Sequence, residues 1–264
     1  MSLAEALLDL QELTRRLRRD CPWDRVQTAR TIVPHTVEEA YEVADAALAG
    51  DDDALRDELG DLLFQAFFLS LLLEEKGLGG LEAVARAVHA KLVARHPHVF
   101  GQEELPTAGA VRLQWERLKL AHEGREGIFH DLPETLPALL FARKVQRRAA
   151  AAGFDWPDLA GPLKKVEEEL GELRAGIARA GEPAPETEPD PVLVHEVGDL
   201  LFAAVNVARK LQVDPELALR AAAGRFVERV ERAAELAAER GEDWRTLGLE
   251  GQDAYYERSK GERP

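Results

Sequence analysis

The stretch that decides the fold runs from residue 38, where the sequence reads EEAYE (38–42), to residue 64, where it closes with DELGDLLF (57–64). Each end carries two acidic residues three positions apart, Glu39 with Glu42 and Glu58 with Asp61. On an α-helix, side chains at this spacing share one face. Two antiparallel helices joined at residues 50–53, where a glycine and three aspartates favour a turn and a helix start, would bring four carboxylates together.

The same arrangement occurs a second time in the chain. Residues 168–172 read EELGE and residues 195–202 read HEVGDLLF, so that the string GDLLF is shared by both copies. Here the paired acids are Glu169 with Glu172 and Glu196 with Asp199. One such pair on a charged helix is usually a solvated face. Recurrence of the whole two-segment pattern instead predicts two sites of clustered carboxylates.

Four carboxylates in one place need a cation, because like charges a few ångströms apart raise one another's pKa and oppose burial. Oxygen-only ligands fit Mg²⁺, with Mn²⁺ as a substitute, better than zinc or copper. A di-iron carboxylate bundle is an alternative that would need Glu-x-x-His ligand pairs. Neither copy contains such a pair, since Glu58 and Glu196 are followed at the third position by Asp61 and Asp199. We therefore predict magnesium.

Helical periodicity dominates the chain, and strand-like alternation is not found. The first acidic helix is predicted to begin after Pro34, with Thr36 as its N-cap, and the second to continue through Leu73. The remaining helices are predicted at 3–19, 81–95, 111–122, 139–152, 163–179, 192–211, 215–240 and 254–260. The fold class is thus all-α, a duplicated helical-bundle unit. We predict an N-terminal helical domain at residues 1–123, a linker at 124–137 and a C-terminal helical domain at 138–264.

Composition excludes several classes of protein. The formal charge of -15 argues against a nucleic acid polymer as a partner, because proteins that bind such polymers usually carry an excess of basic residues. The only cysteine is Cys21, so a reducing compartment is expected. The longest apolar run, residues 62–73, is too short to span a bilayer, and the amino terminus is unlike a signal peptide. We expect a soluble, cytoplasmic protein with no membrane partner.

Further strings give the sequence a family resemblance. They are CPWD at 21–24, HPHVF at 96–100 and GFDW at 153–156, and they flank the two acidic patterns in order. In this combination the chain resembles the two-domain proteins of the MazG family of nucleoside triphosphate pyrophosphohydrolases over nearly its whole length. The resemblance implies an all-α fold and a homodimer. It also implies Mg²⁺-dependent hydrolysis of nucleoside triphosphates to the monophosphate and pyrophosphate.

The resemblance also assigns roles to particular residues. Glu38 and Glu168, the first acids of the two motifs, would orient or deprotonate the attacking water. The metal ligands would be Glu39, Glu42, Glu58, Asp61, Glu169, Glu172, Glu196 and Asp199. Substrate-binding positions would be Lys91, Arg95, Trp115, Lys119, Lys165, Arg225, Arg229, Tyr256 and Lys260.

Two features bear on which half works. The family often has Asn and Lys where this chain has Ala223 and Arg225, and the first half has His89 at the Asn-like position. Arg does not replace Lys neutrally. The family's activity is nevertheless commonly placed in the second half, which we favour. The alternative function is a non-catalytic sensor or interaction protein that binds metal and nucleotide. Because no base-reading motif is evident, low base selectivity is expected.

Overall fold

The computed structural model describes residues 2–101, 107, 109, 111, 114, 127–129, 132–133, 135–181 and 188–261. It divides the chain into two compact units, Met1–Lys119 and Leu120–Pro264. The predicted all-α class is confirmed, and the described residues contain no β-strand. Two of the predicted substrate-binding residues, Trp115 and Lys119, lie outside the described residues, as does most of the helix predicted at 111–122.

The N-terminal unit contains five described α-helices. They are α1 (Leu3–Asp20), α2 (Ala29–Ala49), α3 (Asp52–Glu75), α4 (Leu81–Arg95) and the short α5 (Pro97–Phe100), with a 3-10 turn at Asp24–Val26. Helices α2 and α3 form the central hairpin, and α1 and α4 pack against α3. The turn between α2 and α3 uses Gly50, whose φ of 71° is costly for other residues. The side chain of Asp51 then caps α3 by accepting from the amides of Asp53 and Ala54.

The start of α2 corrects one prediction. The helix begins at Ala29, not after Pro34, because Thr28 and Thr31 cap it reciprocally: the Thr31 amide donates to Thr28 Oγ1 at 3.3 Å and the Thr28 amide to Thr31 Oγ1 at 2.8 Å. Pro34 is accommodated inside the helix. Thr36 is not an N-cap, and its hydroxyl donates to the carbonyl of Ile32. The extra turn brings Ile32 into the core with Phe68 and Leu72.

The C-terminal unit repeats the hairpin with longer flanking helices. They are α6 (Ala138–Ala151), α7 (Ala160–Ala180), α8 (Pro191–Lys210), α9 (Pro215–Glu239) and α10 (Leu249–Ser259), with a 3-10 turn at Trp244–Thr246. Helices α7 and α8 form the hairpin, α6 packs on α8, and α9 packs mainly on α10. A core of Ala233, Leu236, Ala237 and Tyr255 joins α9 to α10. Helix α10 begins five residues earlier than the predicted start at residue 254.

Candidate metal centres

The α2–α3 hairpin brings three of the predicted N-terminal ligands together. One carboxylate oxygen from each of Glu39, Glu58 and Asp61 lies within 4.8 Å of the other two. Glu42 lies beside them and shares a hydrogen bond with Glu39. We call Glu39, Glu58 and Asp61 the N-terminal triad. The two-segment spacing read from the sequence thus corresponds to four acids that lie close together where α2 and α3 pack on each other.

Desolvation and repulsion between neighbouring carboxylates both act on the N-terminal triad. The pKa of Glu39 is raised by desolvation and then by the charges of Asp61 and Glu42. Desolvation, followed by the neighbouring charges of Glu42 and Asp57, also raises the pKa of Glu58. Mutually repelling carboxylates whose protonation is favoured in this way are the ligand set that a hard divalent cation neutralises.

The α7–α8 hairpin builds the corresponding C-terminal triad from Glu169, Glu172 and Glu196, again with oxygens within 4.8 Å of one another. Glu169 is only 3% exposed, and its Oε2 atom is buried with no hydrogen-bond partner among the described residues. A buried carboxylate oxygen without a partner is costly unless a cation satisfies it. The fourth predicted ligand, Asp199, lies one turn beyond Glu196 and pairs with Nε2 of His195 at 3.2 Å. The residues present therefore fit Mg²⁺.

A lysine distinguishes the C-terminal triad from the N-terminal one. Nζ of Lys165 donates to Glu168 Oε1 at 2.8 Å and also pairs with Glu169. These bonds raise the pKa of Lys165 well above its ordinary value. The hydrogen bond from Lys165 also lowers the pKa of Glu169, whereas the hydrogen bond and charge of Glu169 raise that of Glu172. In the N-terminal unit the equivalent cation position holds His35, which pairs with Glu38 at 3.5 Å.

A cavity of about 420 Å³ adjoins the C-terminal triad. Its acidic end is formed by Glu169 and Asp199 with Lys165. The rest of the wall is mostly apolar and aromatic, with residues that include Phe129, Val145, Phe154, Trp156 and Phe202. Four polar side chains interrupt it: Gln146 of α6, Asn206 and Arg209 of α8, and Asp155 of the loop before α7. Its size and mixed lining are typical of a small-molecule site. Trp156, the last residue of the GFDW string, is one of the aromatic residues that line the cavity.

The loop that carries Trp156 is held to α8 by ion pairs. Arg209 donates to both carboxylate oxygens of Asp155, at 2.5 and 3.1 Å, and Lys210 pairs with the same carboxylate. Burial alone would raise the pKa of Asp155, but the hydrogen bonds from Arg209 and Lys210 outweigh it and lower the pKa. The Trp156 ring lies against the first turn of α7, where a Cβ on Gly161 would be 2.0 Å from its Cδ1 atom. Sequence reasoning missed Asp155, Arg209 and Gln146.

The other predicted substrate-binding residues in the described part of the chain lie on α4, on α9, and on or directly after α10. Lys260 Nζ lies 4.9 Å from the ring centroid of Tyr256, which also packs against Phe226 at 5.8 Å. Arg225 is exposed and Arg229 half-buried on α9, while Lys91 is exposed and Arg95 half-buried on α4. Of these residues, the structure brings Tyr256 and Lys260 together.

Comparison with known proteins agrees with this arrangement. A family model described as the MazG nucleotide pyrophosphohydrolase domain matches residues 27–100. The chain is 38% identical over 261 residues to the nucleoside triphosphate pyrophosphohydrolase/pyrophosphatase MazG of Thermotoga maritima, covering 98% of this chain and 96% of that protein. It is 37% identical over 263 residues to the nucleoside triphosphate pyrophosphohydrolase of Escherichia coli K12, covering 98% of both. Two hairpins of the same acidic design, matched along their whole length, place this chain in the MazG family.

Proposed function

We propose that this chain hydrolyses nucleoside triphosphates to the nucleoside monophosphate and pyrophosphate, and that the C-terminal unit performs the reaction with Mg²⁺, for which Mn²⁺ can substitute. The observation that carries the assignment to this unit is the cavity, which joins Glu169 of the C-terminal triad and the neighbouring Asp199 to an aromatic wall. A nucleotide has this same division into a charged end and a flat apolar end. Full-length similarity to proteins named for this activity supports the reaction.

The metal would be held by Glu169, Glu172, Glu196 and Asp199 in this unit, and by Glu39, Glu42, Glu58 and Asp61 in the N-terminal one. When bound, Mg²⁺ neutralises charge on the triphosphate and makes water a stronger acid near neutral pH. Glu168 is half exposed at the edge of the C-terminal triad. We assign to it the acceptance of the proton from the attacking water, and to Glu38 the same role in the N-terminal unit.

Cations supply the remaining charge that cleavage between the α and β phosphates requires. Lys165 stands at the acidic end of the cavity, and its ammonium can turn from Glu168 and Glu169 to a phosphate oxygen. Arg225, Arg229 and Lys260 would contact the triphosphate, with Tyr256 as a packing surface under Lys260. In the N-terminal unit Lys91 and Arg95 would do so, with Trp115 and Lys119, which lie outside the described residues.

A second copy of the chain is proposed as the partner. Both units leave apolar helix faces exposed: Val84, Val88 and Leu92 on α4, and Leu219, Phe226 and Val227 on α9. Exposed apolar faces of this kind mark interaction surfaces. Helices α4 and α9 are also those that carry the predicted phosphate-binding cations. A homodimer would bury such faces, and sedimentation at micromolar concentration should give twice the mass of 29.2 kDa.

Three further statements belong to this proposal. The domain limits of residues 1–123 and 138–264, with a linker at 124–137, stay predictions, and so does the cytoplasmic location. One described helix, α8, is long and apolar enough to cross a membrane by length and composition. Its Glu196 lies beside Glu169 and Glu172 of α7, and we propose that it is a packed helix of the C-terminal hairpin rather than a membrane span.

The testing experiment is product analysis on matched variants. Purified wild type, Glu39→Gln, Glu169→Gln, the double variant and the control Glu167→Gln are incubated with each common nucleoside triphosphate and Mg²⁺. Loss of a metal ligand should lower kcat/KM by more than about 100-fold. We expect monophosphate and pyrophosphate from the wild type, from Glu39→Gln and from the control, whose residue is exposed on α7. Glu169→Gln should abolish the reaction.

Each other outcome has a definite reading. Loss of activity in Glu39→Gln alone would move the reaction to the N-terminal unit. Release of orthophosphate would mean that a different bond is cut. Tight binding of Mg²⁺ and nucleotide without turnover would favour the non-catalytic sensor.

A further inference from the structure

The geometry points to Gln146 and Asn206 as the residues that read the hydrogen-bonding edge of the base in the C-terminal cavity, through one acceptor and one donor. The inference rests on the proposed function, since it takes the ligand of the cavity to be a nucleotide. It goes beyond that function because it states which chemical feature of the base the cavity selects. Both side chains line the cavity, and both are only 6% exposed.

The orientation of the Gln146 amide is fixed by its partner. Its Nε2 donates to the backbone carbonyl of Phe202 at 2.7 Å. A carbonyl can only accept, so the nitrogen end must face Phe202 and the oxygen must be the other end. That oxygen, Oε1, is buried and has no hydrogen-bond partner among the described residues. A purely structural glutamine would need only the bond to Phe202, and an unpartnered buried acceptor is costly unless a ligand satisfies it.

The orientation of the Asn206 amide is fixed in the opposite sense. Its Oδ1 accepts from Nε of Arg209 at 2.8 Å. A guanidinium can only donate, so the oxygen must face Arg209 and the NH₂ group remains for a ligand. Arg209 is itself held by both carboxylate oxygens of Asp155. The chain of bonds from Asp155 through Arg209 to Asn206 therefore presents a donor on the same cavity wall as the acceptor of Gln146.

One acceptor and one donor match a feature that all common bases share. Adenine and cytosine carry an exocyclic amine beside a ring nitrogen, and guanine and uracil carry a ring N–H beside a carbonyl. Each base can thus donate to Gln146 Oε1 and accept from Asn206 Nδ2. The pair does not distinguish among these bases, which agrees with the low base selectivity expected from the sequence. It discriminates against bases whose edge lacks the N–H donor.

The test compares substrates that differ only in that donor. ATP is set against purine riboside triphosphate, which lacks the exocyclic amine, and CTP against its 4-deamino analogue. Because the analogue leaves a buried acceptor unpaired, wild-type kcat/KM should fall at least about tenfold for each analogue. A second readout, independent of turnover, is calorimetric binding of AMP and of purine riboside monophosphate in the presence of a chelator. We expect AMP to bind at least about tenfold more tightly.

Two substitutions separate the two amides. Gln146→Met removes the acceptor at similar volume and should make ATP and its analogue equal substrates. Asn206→Asp keeps an oxygen on Arg209 and turns the donor into an acceptor, so KM should rise for every base while melting temperature stays near that of the wild type. The matched control is Gln65→Met in the N-terminal unit, where Gln65 is likewise buried with an unpartnered Oε1. It should leave discrimination unchanged.

The outcomes separate this inference from the proposed function. Equal wild-type kcat/KM for ATP and purine riboside triphosphate would overturn the inference and leave the hydrolysis standing. No hydrolysis of any triphosphate, with AMP still preferred over its analogue, would overturn the proposed function and support the reading of the base. No hydrolysis and no preference would overturn both.

Discussion

Lys165 is the residue whose position most constrains the C-terminal triad. It holds Glu168 and Glu169 through its ammonium, so a divalent cation bound to the free Oε2 atom of Glu169 would lie close to a positive charge that repels it. Lys165→Met should therefore bind Mn²⁺ about tenfold more tightly in nucleotide-free protein, measured by calorimetry. The same variant should lose at least about tenfold in kcat/KM, because a phosphate loses its cation. The control is Lys164→Met, whose side chain is exposed. Weaker Mn²⁺ binding in Lys165→Met would contradict this account.

Gly161 decides where the Trp156 ring can lie. A Cβ at residue 161 would approach the ring to 2.0 Å, so Gly161→Ala must push Trp156 out of its place on the cavity wall. We expect KM to rise several-fold for all nucleoside triphosphates, with little change in kcat, measured by steady-state kinetics. Gly171→Ala on the same helix is the control, because a Cβ there meets nothing within 4 Å. Alanine at that position should stabilise the protein by up to about 1 kcal/mol. An unchanged KM in Gly161→Ala would show that Trp156 does not contact substrate.

At the scale of single residues, the sequence predicted which acids lie together but not which polar residues line the cavity. Paired carboxylates on adjoining helices are set by spacing alone, and the structure groups six of the eight in two triads. Gln146 gave no signal, because a glutamine among basic residues on an amphipathic helix looks like a solvated position. Its role depends on the backbone carbonyl of Phe202, fifty-six residues away. Contacts of that range are invisible to local patterns.

The two units fasten the loop before the acidic hairpin in different ways. In the N-terminal unit Arg18 of α1 donates to the carbonyls of Asp24 and Gln27, at 2.6 and 3.0 Å, and pairs with Glu75 of α3. In the C-terminal unit the cation is on the hairpin itself, since Arg209 of α8 holds Asp155 in the loop. In both units an arginine therefore holds the loop before the acidic hairpin, but the arginine and its partners are at different positions.

Removing the hydrogen bonds and ion pair of Arg18 should lower the stability of the folded chain. Its guanidinium is mostly buried, lies 5.9 Å from the Phe68 ring centroid and bonds two carbonyls and a carboxylate. Arg18→Met should lower the free energy of unfolding by about 2 kcal/mol, determined by denaturant titration. Arg19→Met is the matched control, because Arg19 pairs only with the exposed neighbour Asp20 among described residues, and such pairs contribute little. Equal destabilisation by both substitutions would refute a specific role for Arg18.

The ion pairs of Asp155 with Arg209 and Lys210 predict that the stability of the chain depends on pH. The pKa of Asp155 is lower in the folded chain than in the unfolded one, so its stabilisation is present above the unfolded pKa and lost as pH falls through the folded value. Denaturant titrations from pH 7 to 3 should show the wild type losing stability below about pH 4. Asp155→Asn should be less stable at pH 7 and should lose less of its stability in that window. Glu167→Gln should follow the wild-type profile, and an Asp155→Asn profile parallel to wild type would exclude this origin.

Helix boundaries could be predicted where one local signal marks the end of a helix. The prediction was wrong where two start signals compete. Residues 81–95 were predicted as α4 and are observed, because glycines and a proline bound them on both sides. The start of α2 was missed because proline was given more weight than two threonines. The reciprocal Thr28–Thr31 cap starts the helix five residues before Pro34. Where two start signals overlap, the packing of Ile32 into the core decides, and packing is not a local property.

Across the whole molecule the two acidic hairpins have the same design but differ in whether a lysine contacts the carboxylates. In the N-terminal triad no described lysine or arginine pairs with the carboxylates, and the pKa values of Glu39 and Glu58 are raised. In the C-terminal triad Lys165 acts as an internal cation and lowers the pKa of Glu169. Duplication therefore produced one site that repels itself without metal and one that is partly neutralised. The sequence predicted the repeat, but the difference follows from a single lysine in place of His35.

This difference should appear in how metal stabilises the chain at different pH. Carboxyl groups with raised pKa favour the folded state below their unfolded pKa, and this stabilisation is lost as pH rises through the folded value. Metal-free protein should therefore lose stability from Glu39 and Glu58 as the pH rises above about 4, and millimolar Mg²⁺ should restore it. Calorimetric melting with and without Mg²⁺ should show a larger rise in Tm at neutral pH than near pH 5.

Substitutions locate the effect in one unit. Glu39→Gln removes a repelling charge, so it should raise the Tm of metal-free protein at neutral pH and reduce the response to Mg²⁺. Glu169→Gln should instead lower the metal-free Tm, because Lys165 loses its buried partner. Opposite signs from equivalent positions can arise only if the lysine governs the C-terminal triad. If both substitutions raise the metal-free Tm by similar amounts, repulsion dominates both triads and the assigned role of Lys165 is wrong.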